Sequence, residues 1–259
     1  MQFRGTTITF NTINSSRYGL YLCNATGDFF TRQFGTDRSI EVESGAIKTI
    51  SHSNPVIEIQ LIKLDKNGDP SSINEDELNL IARWLFSPQE YKPLMVDRKN
   101  VVYYGMFTKG QIWQNEANQG YLTLQFELNA DHAYTVVNNS DFRVNDTSVG
   151  RDIVVTSHHT FEMYNEVDME ISLFEGNSFT VINHTTGQTM ELKNLPSNCR
   201  HIYIYNDGVK HIENMDNKEQ NIRLCFNKVF IHLAYGVNNI TIKGKGTIRF
   251  ISQGKLLLT

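Results

Sequence analysis

Ile73-Asn74-Glu75-Asp76-Glu77-Leu78-Asn79-Leu80-Ile81-Ala82-Arg83-Trp84-Leu85-Phe86-Ser87-Pro88 is the one stretch of this chain that reads as an amphipathic helix. Asn74 is a good N-cap, because its side-chain oxygen can accept a free N–H of the first turn. Glu77, three residues on, completes a capping box, and Ile73 with Leu78 forms a hydrophobic staple. Glu75, Asp76 and Glu77 suit the positive end of the helix dipole. Leu78, Ile81, Ala82 and Leu85 recur at three- and four-residue spacing. They make one apolar stripe that must face a sheet, with Trp84 on its flank. Pro88 closes the helix.

Working outward, the neighbours read as strands. Before the helix, Ile8-Thr9-Phe10, Tyr18 to Leu22, Ile40 to Glu43 and Val56 to Leu64 run apolar or alternate over strand length. Asn24 to Gln33, mostly polar around Phe29-Phe30, is expected to loop out. Asp65-Lys66-Asn67-Gly68-Asp69-Pro70 has the Asp-x-Asn-x-Asp opening of a calcium loop. The sixth position, normally Gly for a sharp turn, is Pro70, and the flanking element is a strand, so a plain turn is expected. After the helix, Met95-Val96-Asp97 and Val101 to Phe107 read as one hairpin around Arg98-Lys99-Asn100. Gln111 to Gln114 and Tyr121 to Leu128 read as a second, joined by Asn115 to Gly120.

A polar stretch from Asn138 to Ser148 places a domain boundary near 135–150, giving domains 1–140 and 141–259. Residues 151–259 show no helix signal. The strands expected there are Ile153 to Thr156, Val167 to Phe174, Ser178 to Asn183, Thr189 to Leu192, His201 to Tyr205, Leu224 to Leu233, Asn239 to Lys243 and Gly246 to Ser252. Short strands between regular turn signals point to a β-sandwich. Asn183 to Gly187, Asn206-Asp207-Gly208 and Gly236 to Asn239 are the turns.

The 259 residues allow one large or two modest domains, and a chain of this size buries about 70–75% of its unfolded surface, enough for a core without disulfides or metal. Hydrophobic content of 40% with 20% charged residues is that of a folded globular protein. A formal net charge of −4 with no basic stripe argues against a sequence-specific nucleic-acid binder. Cys23, Cys199 and Cys225 are an odd set without CxxC spacing, which suits a reducing compartment. The first residues lack an apolar run of signal-peptide length, and no apolar run is long enough for a membrane span.

No catalytic, cofactor-binding or metal-ligating residue is assigned. The eight histidines show neither His-x-His nor His-Glu-x-x-His spacing. His158 and His159 are adjacent, so on a strand they point to opposite faces. His201 and His211 flank the Asn206-Asp207-Gly208 turn, a placement for neighbours across a hairpin. There is no Gly-x-Ser-x-Gly elbow and no cysteine in a nucleophile context. Gly244-Lys245-Gly246 lacks the Gly-Lys-Ser/Thr ending of a phosphate loop. Glu41 and Glu43 share a strand face, as a solvated face also would. An enzyme is not expected; an assembly or binding protein is, since long apolar strands can pair edges or pack faces with other copies.

The ordered features resemble the distal tail (Dit) family of long, non-contractile phage tails. They are the strand ending near Asp65, the helix with Ala82-Arg83-Trp84-Leu85, Tyr91-Lys92-Pro93-Leu94, the Tyr103-Tyr104 strand, and Leu122 to Leu128 ending near Tyr134. In the second half Ile182-Asn183-His184-Thr185-Thr186-Gly187 resembles the family's strand-turn segment. Leu233-Ala234-Tyr235-Gly236-Val237-Asn238-Asn239-Ile240 resembles its closing L-x-x-G-x-N-x-I strand. The resemblance implies a mainly β protein. Its N-terminal, β-sandwich-like domain, with one helix and hairpins, forms a homo-hexameric ring; its C-terminal domain is a galectin-like β-sandwich. The ring would join the tail tube to the baseplate hub or tail fibre and let DNA pass. The implied partners are the major tail tube protein and the hub or tail-associated lysin, with the tape measure protein and receptor-binding proteins as further candidates. No cofactor or membrane partner is implied, and the location would be the virion tail tip after assembly in the host cytoplasm. In the ring the hairpins beside the helix would contact neighbouring subunits, while Leu78, Ile81, Ala82 and Leu85 stay in the subunit's own core.

The alternative is a carbohydrate- or receptor-binding module of the tail tip. Sugar recognition on such sandwiches favours an aromatic platform; residues 151–259 hold no Trp, leaving Tyr164, Tyr203, Tyr205 and Tyr235 as platforms.

Overall fold

The computed structural model describes residues 7–23, 55–96, 100–160, 163–206 and 208–257, with 38–43 and 46–52 described by their backbone alone. The expected loop at Asn24 to Gln33 and most of the Arg98-Lys99-Asn100 turn lie outside the described residues. The chain divides into two compact units. The first is Met1–Ala133 with Leu257–Thr259, the second Tyr134–Leu256.

In the first unit the strands are β1 (Ile8–Phe10), β2 (Ile13–Asn14), β3 (Leu20–Leu22), β4 (Arg38–Glu43), β5 (Ala46–His52), β6 (Val56–Lys63), β7 (Lys92–Val96), β8 (Val101–Gln114) and β9 (Gly120–Leu128). Seven of them form one antiparallel sheet in the order β2-β1-β7-β8-β9-β6-β3, and β4 pairs with β5 as a separate hairpin. The two hairpins expected after the helix share a strand. β8 runs unbroken through Thr108 to Gly110, pairing β7 at its start and β9 along the rest, with a bulge between Phe107 and Lys109. A bulge changes a strand's direction without ending it, so alternation restarts out of step and reads as two strands.

Helix α1 (Glu75–Phe86) carries the expected cap: Glu77 N donates to Asn74 Oδ1 at 2.9 Å, and Asn74 N donates to Glu77 Oε2 at 3.1 Å. The Lys63 ammonium holds the same Glu77 carboxylate at 2.6 Å. The buried stripe differs from the expected one. Ile81, Trp84 and Leu85 are buried, whereas Leu78 and Ala82 are only half-buried. Trp84 takes their place because its indole reaches over the first strand: it stacks on Tyr18 at 5.1 Å and lies 6.4 Å from the Phe10 ring. Phe86 completes the contact over β8. Its ring is 6.4 Å from Phe107, and a Cβ on Gly110 would come within 2.9 Å of it, so Gly110 leaves room for the helix end.

The second unit holds β11 (Asn138–Ser157), β12 (Tyr164–Glu166), β13 (Asp168–Asn183), β14 (Gln188–Leu192), β15 (His201–Tyr205), β16 (His211–Asn214), β17 (His232–Ala234) and β18 (Gly236–Ser252); β10 (His132–Thr135) precedes them and β19 (Lys255–Leu257) follows. The stretch Asn138 to Ser148, expected as a polar boundary, is the first half of β11, paired with Gly244 to Ser252. Its polarity reflects an edge strand with one face in solvent, of which only Val144 is fully buried. Val167 to Phe174 and Ser178 to Asn183 are likewise one strand, as are Asn239 to Lys243 and Gly246 to Ser252.

These long strands fold over together. Pairing shifts between Asp146 and Arg151 on β11 and between Leu173 and Thr180 on β13, on either side of Gly244 on β18. Gly150, Gly176 and Gly244 sit in these breaks with φ of 88°, 82° and 147°. The early half of β13 then pairs with β15 and its late half with β14. Residues from both halves, such as Ile171, Ile202 and Phe250 with Val181, Leu192 and Ile242, pack in a single core. One sheet thus makes both layers of a β-sandwich.

Leu224 to Leu233, expected as one strand, is a short 3₁₀ turn (Arg223–Cys225), an isolated bridge of Phe226 to Leu192, and irregular chain until β17 begins at His232. Asn227 stops the pairing with β14 from going beyond that bridge. Its side chain accepts from Glu191 N at 3.1 Å and donates to the Thr189 carbonyl at 2.9 Å, and Lys228 follows in the left-handed region at φ 65°.

The two segments singled out in the second half meet at one buried pair. Asn183 and Asn238 are fully buried, and Asn183 Nδ2 donates to Asn238 Oδ1 at 3.3 Å and to the His232 carbonyl at 2.8 Å. Asn238 spans the β17–β18 corner, accepting from Ala234 N and donating to its carbonyl, both at 2.8 Å. Gly236 turns that corner at φ 83°, and Leu233 and Ile240 bury on either side. The L-x-x-G-x-N-x-I pattern is therefore a corner with its own internal clamp.

Candidate assembly surface

The sheet of the first unit has two unlike faces, and strand register decides which residue lies on which. Ile57, Ile59 and Leu61 on β6 stand opposite Phe126, Leu124 and Leu122 on β9, and all are buried. Gly110 and Ile112 on β8 are opposite Leu124 and Leu122 and share this inner face. The outer face holds the alternate residues. One transverse row there is apolar from end to end: Tyr21 pairs with Ile62, Ile62 with Tyr121, and Tyr121 with Trp113. The next two rows are polar, Gln60-Thr123-Gln111 and Glu58-Gln125-Lys109.

Trp113 is the exposed end of the apolar row. It is 57% exposed and stacks on Tyr121 at 6.5 Å. Its hairpin is rigid at the tip. Gln114 Nε2 donates to the carbonyls of Ile73 and Asn118 at 3.1 and 3.2 Å, and Gln119 Nε2 to that of Pro70 at 3.1 Å. Asn115 Oδ1 accepts from Ala117 N and Gln119 N, both at 3.0 Å. The segment leading into the helix thus holds the hairpin, and the indole is presented with little freedom left to lose. A contact made by such a pre-ordered aromatic gives up less entropy than one made by a mobile loop. The chain's other Trp, Trp84, is buried, so the two have opposite roles that composition alone does not distinguish. The available signal was the alternation of β9: counting back through the tight turn puts Trp113 opposite Tyr121, off the Leu122–Leu124 face.

In the second unit the tyrosines expected as platforms are differently employed. Tyr203, Tyr205 and His211 line up on the outer face of β15 and β16, with centroids 4.2 Å apart for the first pair and 4.1 Å for the second. The His211 ring lies within 7° of parallel to Tyr205, so the faces of Tyr205 are covered by its neighbours. Their hydroxyls approach Asp168 and Glu213 at 3.3 and 3.2 Å. Desolvation, with Asp168 beside it, pushes the Tyr203 phenol up to about 12, so it stays a neutral donor. Tyr164 lies 5.8 Å from His232. Tyr235, 66% exposed beside the Gly236 corner, is the most open of the four.

The histidines do not converge. His211 stands opposite Tyr205, whereas His201 binds Asp216 at 2.7 Å, so the two are not cross-strand neighbours. His159 is buried and accepts Lys255 N at 3.0 Å, while His158 is exposed. Asp65 is occupied by its own turn, accepting Asn67 N at 2.8 Å and Asp69 N at 3.0 Å, and these N–H groups hold its carboxyl below the usual range. Among the described residues no group of three His, Cys, Asp or Glu is placed to hold a metal. Cys23 and Cys199 are buried, and burial pushes both thiols up to about 11. The side chains of Glu41 and Glu43 and the residue Asp207 lie outside the described part.

Residues 3–130 match the family described as phage tail protein N-terminal domain. No curated protein matches the chain. Among solved structures, the Dit protein (gp 19.1) of phage SPP1 matches with a TM-score of 0.58 at 12% identity, covering 96% of this chain and 99% of that one. That protein is described as a paradigm of the hub adsorption apparatus in phages infecting Gram-positive bacteria. At 12% identity the likeness is one of fold, and it spans both units. A chain of the phage P2 baseplate in its activated conformation with Ca has a TM-score of 0.49 at 9% identity, covering 98% and 99%, and adds nothing to that argument.

Proposed function

We propose that this chain, whose residues 3–130 match the phage tail protein N-terminal domain and whose fold is like that of the SPP1 Dit protein, is the ring-forming distal tail protein of a virion. In this reading six copies close into a ring between the tail tube and the baseplate hub or fibre, and DNA passes through the opening. The first unit builds the ring and the second, read as the galectin-like domain, projects from it. Its partners are then itself, the tail tube protein and the hub, at the tail tip.

The observation that carries this reading is Trp113. A rigid hairpin beside the helix presents a 57% exposed indole at the end of the row Tyr21-Ile62-Tyr121. An aromatic of this size buries roughly 150–250 Å² when covered and is enriched at interface centres. The occupant of this surface is a second copy of the chain. The resemblance to the distal tail family, which implies a ring, supports that choice, as does the amphipathic layout of the outer face. The glycan-binding alternative loses two of its four platforms, because Tyr203 and Tyr205 spend their ring faces on each other and on His211.

Size-exclusion chromatography with light scattering on the full chain, with negative-stain images of the tail tip, tests the reading. Sixfold particles are expected at high concentration. Trp113→Ser should shift them to monomers with an unchanged melting temperature. A strict monomer at every concentration, with no ring at the tail tip, overturns it.

A further inference from the structure

We propose that the second unit binds a small organic oxyanion, a carboxylate or phosphate carried on a sugar-sized body, in the cavity between β16 and the chain from Lys218 to Phe230. The cavity encloses about 430 Å³, inside the range of roughly 300–1,000 Å³ typical of small-molecule sites. Four cations line it: Lys210, Lys218, Arg223 and Lys228. Lys210 is engaged by Glu166 at 2.7 Å, and Lys218 approaches Glu213 at 3.7 Å. Arg223 and Lys228 enter no ion pair among the described residues. Glu219 also lines the cavity and enters no ion pair among the described residues, so a guanidinium and an ammonium outnumber one carboxylate there, and the two cations together suit a two-oxygen head group.

The walls are held in place. Asn221 Oδ1 accepts Arg223 N at 2.9 Å and fixes the start of the 3₁₀ turn. Asn214 Nδ2 donates to Gln220 Oε1 at 2.9 Å, and Asn227 ties the far side to β14. Lys228 itself is held at φ 65°, a conformation that costs a lysine energy and that a glycine would adopt freely. Phe226 and Phe230 pack edge to face at 5.1 Å and supply an apolar wall for the carbon body. Both cations, the strained lysine among them, and the aromatic wall therefore lie on one stretch of chain, tied at Asn221 and Asn227.

Isothermal titration of the full chain at low salt tests this, with glucuronate, glucose 6-phosphate, inorganic phosphate and glucose as probes. At least one acidic sugar should bind saturably in the millimolar range or tighter and weaken as salt rises. Glucose should not bind, and inorganic phosphate should bind about ten-fold more weakly for want of the body. Arg223→Gln with Lys228→Gln should remove the binding. Lys228→Gly serves as the second variant: it relaxes the left-handed backbone and so keeps the fold while removing one cation, and should weaken binding about ten-fold. The proposal is overturned if no anion saturates, if glucose binds as well as its acids, if inorganic phosphate matches them, or if the Gly variant binds unchanged. Which acid binds identifies the head group.

Discussion

The indole Nε1 of Trp84 donates to the backbone carbonyl of Phe10 at 3.1 Å, joining the helix to the first strand across 74 residues. Both partners are buried, so the bond ties the helix to a carbonyl that has no access to water. Trp84→Phe keeps most of the packing but orphans that carbonyl, and should lower stability by about 1–3 kcal/mol. Trp84→Ala, which also leaves a cavity, should cost about 3–5 kcal/mol. Urea unfolding of the two variants separates the bond from the packing.

Ile81 is 2% exposed on the face that carries this bond. Ile81→Asp buries a charge with no partner, so it should unfold the first unit and not merely disperse an oligomer. Circular dichroism and light scattering report the difference; soluble, folded monomers would contradict it.

Gly150 sits where the second sheet folds over, at φ 88°, and a Cβ there would come within 2.6 Å of the Ile242 carbonyl. Gly150→Ala therefore meets both backbone strain and a collision with the main chain. A loss of about 2–4 kcal/mol is expected, read from the chemical denaturation midpoint. Gly187→Ala is the contrast. It shares the positive φ but has open space around it, so strain alone should cost about 1–2 kcal/mol.

Asn238→Ala leaves Ala234 N–H and C=O and the Asn183 amide without their shared partner. About 2–4 kcal/mol should be lost, with hydrogen exchange at Ala234 rising first as the β17–β18 corner opens.

Asp216 gathers His201 Nδ1 at 2.7 Å and the backbone N–H groups of Arg200 and His201 at 2.6 and 2.8 Å. The His201 contact first, then the backbone donors, hold its carboxyl down to about 2. The folded value lies below the unfolded one, so the contribution to stability is complete above about pH 4 and is lost as pH falls towards 2. Melting temperatures of the wild-type chain and Asp216→Asn should differ at neutral pH and converge across that window. A difference that persists at pH 2 would show that the carboxylate's charge is not what stabilises this turn.

The helix was legible because every signal for it is local: cap, staple and terminal proline lie within sixteen consecutive residues. Alternation placed most strands for the same reason. It failed where backbone direction changes without a break in pairing, at Phe107–Lys109 on β8 and around Gly150, Gly176 and Gly244. Bulges shift the phase of alternation but leave the strand intact. Leu224 to Leu233 misled in the other direction: its apolar residues suit one continuous strand, but beyond the Phe226–Leu192 bridge the Asn227 side chain claims the β14 bonds that would continue it, and only His232 onward is strand again.

What the sequence determined by itself was therefore the helix, the β class and the ordered features of a phage tail family, all set by contacts a few residues apart. Tertiary structure alone decided that Trp84 goes into the core and Trp113 to the surface. It also decided that Tyr203 and Tyr205 cover each other, and that Arg223 and Lys228 face one cavity. Each of these depends on which strand lies opposite and on how one side chain meets another far along the chain. Period-two alternation specifies two faces, and only the packing of the helix against one of them makes it the inside.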